Sequence, residues 1–261
     1  MHLVACPIPQ SSGATNIRFF AFTGQKYLKH FTFAAKEKDL AKNKLRKFGQ
    51  MKDYPHVEEP TLKEMKEGFH LKGKWKKEFF KNDNPLVLEL GCGMGEYSVG
   101  LADKCPDKNF LGVDIKGARI WQGATESLEK DMKNVGFLRI RIDWIEECFA
   151  KEEVDEIWIT FPDPQLKKRR GTKRLTHPDF LSRYNNILKK DAPIHLKTDS
   201  QFLHGYTLGI ITGKNHILED STHDLYTSPV KREHMEIKTH YEQIYLDRGL
   251  PITYLRFRLK S

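Results

Sequence analysis

Near the middle of the chain a carboxylate stands between two prolines, Phe161-Pro162-Asp163-Pro164, and six basic side chains follow it: Lys167, Lys168, Arg169, Arg170, Lys173 and Arg174. Each proline fixes its own φ and biases the residue before it away from helix, so Asp163 is held in few conformations. A carboxylate fixed in this way can orient a hydrogen-bonding substrate or stabilise positive charge as it develops. The cations beside it suit a phosphate backbone. A plain turn role for Asp163 and a solvated basic loop stay open beside that reading.

A second constellation precedes it. Leu90-Gly91-Cys92-Gly93-Met94-Gly95-Glu96 links the apolar run Leu86–Leu90 to residues with helical apolar spacing. In an open α/β sheet this is where ligands bind, and glycines there let the backbone approach a ligand closely. Asp114 ends the next apolar run, placed to bond a ribose hydroxyl pair, a feature that dinucleotide and S-adenosylmethionine sites share. The spacing chooses between them: GxGxG followed by an acid departs from the GxGxxG that brings a helix N-terminus to a pyrophosphate. S-adenosylmethionine carries a sulfonium and an ammonium, so the nearby Glu89 and Glu96 suit a methyl donor better than a hydride carrier. Asp143, read as the end of the third strand, could reach an adenine edge or cap the helix that follows.

The elements that must hold these residues alternate. Strands read at LVLEL, NFLGVDI, VGFLRIRID, VDEIWITF and APIHLKTD are interleaved with helices, which calls for a parallel sheet covered on both faces. Pro251 to Lys260 alternates apolar and basic residues like an outer strand. Ala34 to Phe48 reads as a basic helix, and Tyr54 to Pro60 as an extended connector. Trp121, Trp144 and Trp158 fall in helix or strand patterns and read as core. Residues 1–40 show no clear period and read as an N-terminal extension, a candidate for disorder, ahead of a single domain over 41–261.

Composition narrows the function. The chain has 261 residues and a net charge of +9, which suits a polyanionic partner. Its four cysteines show no metal or disulfide spacing, so a metal-free protein of the reducing cytoplasm is expected. No apolar run is long enough for a membrane span, and no secretory leader is read.

LELGCGMGEYSVGLA, NFLGVDIKGAR, TFPDPQLKKRRGTKRL, HLKTDS and KTHYEQIYLDRGLPITYLRF resemble, in order and spacing, the bacterial tRNA (guanine-N7-)-methyltransferases. The similarity runs from about Lys42 to Arg258. It implies a Rossmann-like class I methyltransferase fold, α/β, with a mostly parallel seven-stranded sheet. It also implies methyl transfer from S-adenosylmethionine to N7 of a guanosine in the variable loop of tRNA, at position 46. Carried over residue by residue, donor binding falls on Glu89, Gly91, Gly93, Asp114, Asp143 and Asp163, with Asp163 also catalytic. Substrate binding falls on Lys167, Asp199, Thr239, His240, Tyr241 and Glu242. Where many members have Trp-Pro after FPDP, this chain has Gln165-Leu166. The enzyme is expected as a monomer or homodimer. A class I methyltransferase acting on protein or a small molecule, and a non-catalytic RNA-binding module, are the alternatives.

Overall fold

Leu86–Leu90 is buried at every position, as a strand covered by helices on both faces must be. In the computed structural model it lies inside an eight-stranded sheet. The structure describes residues 43–229 and 237–260. The sheet belongs to the unit Leu45–Ser261.

In chain order the elements are helix α1 over 43–51, β1 (Val57–Glu58), α2 (Leu62–Gly68), a π-helical turn (Trp75–Phe80), β2 (Leu86–Leu90), α3 (Glu96–Lys104), β3 (Asn109–Asp114), α4 (Gly117–Glu129) and β4 (Val135–Arg139). They continue with α5 (Ile145–Cys148), β5 (Glu156–Thr160), α6 (Pro178–Ile187), β6 (Pro193–Thr198), α7 (Gln201–Gly213), β7 (Ile217–Thr222), α8 (His240–Asp247) and β8 (Thr253–Arg258). The sheet order is β1-β4-β3-β2-β5-β6-β8-β7, with β1 to β6 parallel and β8 antiparallel to both its neighbours.

After β2 the chain winds outward through β3 and β4, then returns to lay β5 on the other side of β2. That reversal is the topological switch point of an open α/β sheet. The glycine turn leaves the end of β2, and the Asp163 corner leaves the end of β5. Leu86, Leu88 and Leu90 face one core, while Val87 faces the other with Tyr97, Phe137, Trp158 and Tyr254.

Three expectations need correction. The sheet has eight strands rather than seven, because Val57–Glu58 within the extended connector pairs in parallel with β4 at Phe137 and Leu138. The C-terminal strand β8 is not an outer one: it lies between β6 and β7, and its exposed-looking cations face a partner, Arg256 and Arg258 meeting Glu219 at 2.9 and 2.7 Å. The third strand, β4, stops at Arg139, so Asp143 lies past its end in a 3-10 turn (Ile142–Trp144). The reading of residues 1–40 and the first part of the basic helix, 34–42, lie outside the described residues.

Candidate active site

The turn after β2 is a run of left-handed glycines, Gly91 at φ +79°, Gly93 at +56° and Gly95 at +75°. Gly95 needs its missing Cβ for space as well: a Cβ there would stand 2.6 Å from the Phe137 ring. One at Gly123 of α4 would stand 2.7 Å from the Met94 carbonyl oxygen, so helix, loop and strand pack at backbone distance.

Asp114, at the end of β3, pins the turn. Its Oδ2 accepts from the Gly93 N–H at 3.0 Å and its Oδ1 from the Lys116 N–H at 2.8 Å. A carboxylate offers about four lone-pair sites, so two remain for a pair of hydroxyls. Gly91, Asp114 and Asp143 line one cleft of 240 Å³ together with Ile115, Ile142 and Leu175. Apolar walls for a flat base, acids for hydroxyls and for a cationic sulfonium, and a glycine floor make a set that fits S-adenosylmethionine. The Asp143 carboxylate pairs with Arg141 at 3.3 Å, and of the two roles read for it the cap is not taken, since Trp144 stands at the N-cap of α5 with no side-chain cap.

Glu89 sits apart from the cleft walls and is only 3% exposed. Its Oε2 accepts from the N–H and hydroxyl of Ser98 at 2.9 and 2.5 Å, and its Oε1 accepts from Thr160. It therefore joins α3 to β2 and β5 beneath the turn. Burial outweighs those bonds and raises its carboxyl to about 7. A carboxyl raised by folding gives stability that is whole below the unfolded pKa and lost as pH rises through the folded one. Thermal stability is thus expected to fall from pH 4.5 to about 7, the span of the shift, and Glu89→Gln to flatten that slope. An unchanged slope in Glu89→Gln would assign the dependence elsewhere.

At the end of β5 the chain turns sharply. Phe161 adopts φ +47°, a strained region for an aromatic residue that costs on the order of 1–3 kcal/mol. Its N–H still continues the ladder to the Lys197 carbonyl at 2.8 Å. Pro162 is buried, Asp163 is exposed, and Asp163 Oδ1 accepts from the Gln165 N–H at 3.0 Å. Gln165 is left-handed too, at φ +47°. Arg174 closes the loop from inside. Its Nε and Nη2 donate to the carbonyls of Pro164 and Gln165 at 3.2 and 3.0 Å, and its guanidinium lies over Tyr206 and Phe202. Arg174 is 8% exposed, which corrects its reading as a phosphate contact. Lys167, Lys168, Arg169, Arg170 and Lys173, in and before the 3-10 turn Lys168–Lys173, are exposed.

Beyond β6, Asp199 is half-buried, and burial raises its carboxyl above the ordinary aspartate range, while the Tyr245 ring of α8 stands 6.4 Å from that of Phe161. Thr239 to Glu242 begins α8 as a capping box: Thr239 Oγ1 accepts from the Glu242 N–H at 3.2 Å, and Glu242 Oε2 from the Thr239 N–H at 3.4 Å. Glu242 is 0% exposed, and its Oε1 meets Lys197 Nζ at 2.9 Å and the Tyr226 hydroxyl at 2.6 Å. Its carboxylate faces inward, which leaves the exposed His240 and Tyr241 as the outward groups of the segment. The His240 N–H donates to Glu96 at 3.0 Å, tying α8 to the start of α3. Sequence reasoning passed over Tyr245 and Lys197, and it read Arg174 as one more phosphate-facing cation. The spacing T-x-x-E, which also caps α2 through Thr61 and Glu64, was the available signal for the fold of the segment.

A glycine turn and acids at successive strand ends beside the switch point of this sheet define a class I methyltransferase. A family model described as a putative methyltransferase matches residues 83–255. Among solved structures, the fold is similar to the 16S rRNA methyltransferase KamB (TM-score 0.56, 12% identity, 72% of this chain and 92% of that one). An antibiotic-related methyltransferase aligns with a TM-score of 0.52 at 17% identity over 71% of this chain and 92% of that one. Curated relatives are nearer. A protein of Christiangramia forsetii is 54% identical over 84% of this chain and 99% of its own length. One of Bacteroides thetaiotaomicron is 56% identical over 84% and 87%. Both are named tRNA (guanine-N(7)-)-methyltransferase. The chain belongs to the tRNA (guanine-N(7)-)-methyltransferase family.

Proposed function

We propose that this protein transfers a methyl group from S-adenosylmethionine to N7 of a guanosine in the variable loop of tRNA. The supporting observation is the corner after β5, where an exposed carboxylate on a strained backbone adjoins an exposed basic turn, one strand away from the glycine cleft. The donor supplies an electrophilic methyl on a sulfonium. Gly91, Gly93, Asp114 and Asp143 would hold it, with Glu89 fixing the turn from below.

Guanine N7 carries an in-plane lone pair and no proton, so the chain need not supply a strong base. Positioning must provide most of the rate. Methylation leaves a cationic purine whose N1 hydrogen becomes more acidic. Asp163 and Asp199, accepting from the guanine N1 and N2 hydrogens, bind more strongly as that charge grows, which is stabilisation of the transition state. Lys167 and its basic neighbours would bear on the phosphates, and His240 and Tyr241 on the RNA beside the target base. Residues 41–261 would be the catalytic domain and 1–40 an extension, in a cytoplasmic monomer or homodimer without metal. Among the described residues no cluster of His, Cys, Asp and Glu is placed to hold a metal, and no helix is long and apolar enough to cross a membrane.

Mapping 7-methylguanosine in tRNA before and after incubation with purified protein and labelled donor tests the reading. Label at position 46 supports it; label in protein alone, or at another nucleoside, overturns it. Arg169→Ala with Arg170→Ala is expected to weaken tRNA binding and reduce the salt slope by roughly 0.9 per lost contact. A salt slope equal to that of the wild type would remove these two side chains from the interface.

A further inference from the structure

Arg174 is a cation kept almost wholly out of water. Among the described residues its charge meets two carbonyl oxygens and two aromatic faces, and no carboxylate. Burying a charge in that way is costly, and an apolar side chain would fill the space at less cost. What the guanidinium adds is a planar, rigid fork of N–H donors.

The fork grips a particular peptide group. Nε donates to the Pro164 carbonyl at 3.2 Å, and the N–H of that same peptide, on Gln165, donates to Asp163 Oδ1 at 3.0 Å. Nη2 holds the next carbonyl, that of Gln165, at 3.0 Å. Arg174 therefore sets the plane of the peptide from which the Asp163 carboxylate takes its bond. Tyr206 and Phe202 back the guanidinium from α7, with ring centroids 4.4 and 4.9 Å away. Its two chain neighbours do something else. Lys173 and Leu175 line the cleft that holds Gly91, Asp114 and Asp143, whereas Arg174 is not among its walls. Leu175 lies over the glycine floor, where its Cδ1 would stand 3.6 Å from a Cβ placed on Gly91.

We infer that Arg174 is a positioning residue for methyl transfer, locking the Asp163 carboxylate to the donor cleft walled by Lys173 and Leu175, so that target base and methyl group are held in one frame. This rests on the function proposed above. Phe161 and Gln165 flank Asp163 in left-handed backbone, and such conformations persist only where the surroundings over-determine them. The grip also works in the other direction: a loop released from Arg174 frees Lys173 and Leu175 to shift, so the cleft loosens with the corner. A phosphate contact would behave differently, acting on tRNA affinity and its salt dependence alone.

Arg174→Lys keeps the charge, but one ammonium lacks the planar fork that spans both carbonyls. It is expected to lower kcat at saturating tRNA and donor by about tenfold, the scale of one hydrogen bond made by a charged group. Donor Kd, read by calorimetry without tRNA, should weaken about fivefold, the low end of coupling between sites. The Kd for tRNA and its salt slope should match the wild type. Tyr206→Leu leaves both hydrogen bonds and removes one aromatic face, so it should move kcat and donor Kd the same way by smaller factors, and it keeps the test open should the lysine variant fail to fold. A reduced salt slope in Arg174→Lys with kcat and donor Kd unchanged would overturn the inference and return Arg174 to the phosphates. Losses that merely track a lowered Tm in both variants would overturn it too. A wild-type protein that methylates no tRNA would instead overturn the reading of function, and the donor Kd of the variants would still decide whether Arg174 holds the cleft wall.

Discussion

Asp163→Ala is expected to lower kcat for tRNA methylation by about 10²–10³-fold, the usual loss when a group aimed at developing charge is removed. The donor Kd should change little, since Gly91, Asp114 and Asp143 wall the cleft and Asp163 is not among its walls. Tm should also hold, because the side chain is exposed and its one recorded bond is to the Gln165 N–H. That bond creates an ambiguity, since alanine removes the turn as well as the charge. Asp163→Asn resolves it, because an amide oxygen can still accept from Gln165 while the negative charge is gone. If the charge stabilises the forming cation, the asparagine variant is nearly as slow as the alanine one. Wild-type turnover in Asp163→Asn would assign Asp163 to the turn alone and refute the electrostatic role.

The parallel core was legible because its strands are buried on both faces and therefore continuously apolar, as in LVLEL and EIWIT. The glycine turn was legible for a similar reason, since left-handed backbone at Gly91, Gly93 and Gly95 admits few residue types, and Asp114 stands out as the acid that ends the next apolar run. What escaped were features whose partners lie far off in sequence. Arg174 looks like one more cation in a basic run, and only Tyr206 and Phe202 of α7, together with the carbonyls of its own loop, turn it inward. Arg256 and Arg258 gave β8 the look of an edge strand until Glu219 is brought opposite them. β7 itself, mostly exposed or half-buried and rich in polar residues, carries little of the pattern that reveals a strand. Gln165 and Leu166 divide: Gln165 supplies a left-handed turn residue whose N–H meets Asp163, and nothing in the structure explains Leu166, which is exposed.

Lys197→Met is expected to destabilise the protein by about 3–5 kcal/mol, the cost of leaving a buried charge without its partner. Lys197 and Glu242 are both fully buried, and their 2.9 Å pair joins β6 to α8. Lys197 also donates to the Ile237 carbonyl at 3.1 Å and lies over the Tyr97 ring, so the ammonium anchors the segment entering α8 as well. Removing the other partner by Glu242→Leu should cost a similar amount plus about 1 kcal/mol for the lost bond from the Thr239 N–H, the reciprocal half of the capping box. The double variant, with no charge left to strand, should recover part of the loss, and a double-mutant cycle of Tm and denaturant midpoints reads the coupling directly. A Lys197→Met protein as stable as the wild type would mean that the pair is not a tether. The consequence for function is specific. α8 carries His240, Tyr241 and Tyr245 but contributes no wall to the donor cleft. Loosening its tether should therefore raise KM for tRNA and lower kcat while donor binding stays near the wild-type value, a split that general unfolding would not produce.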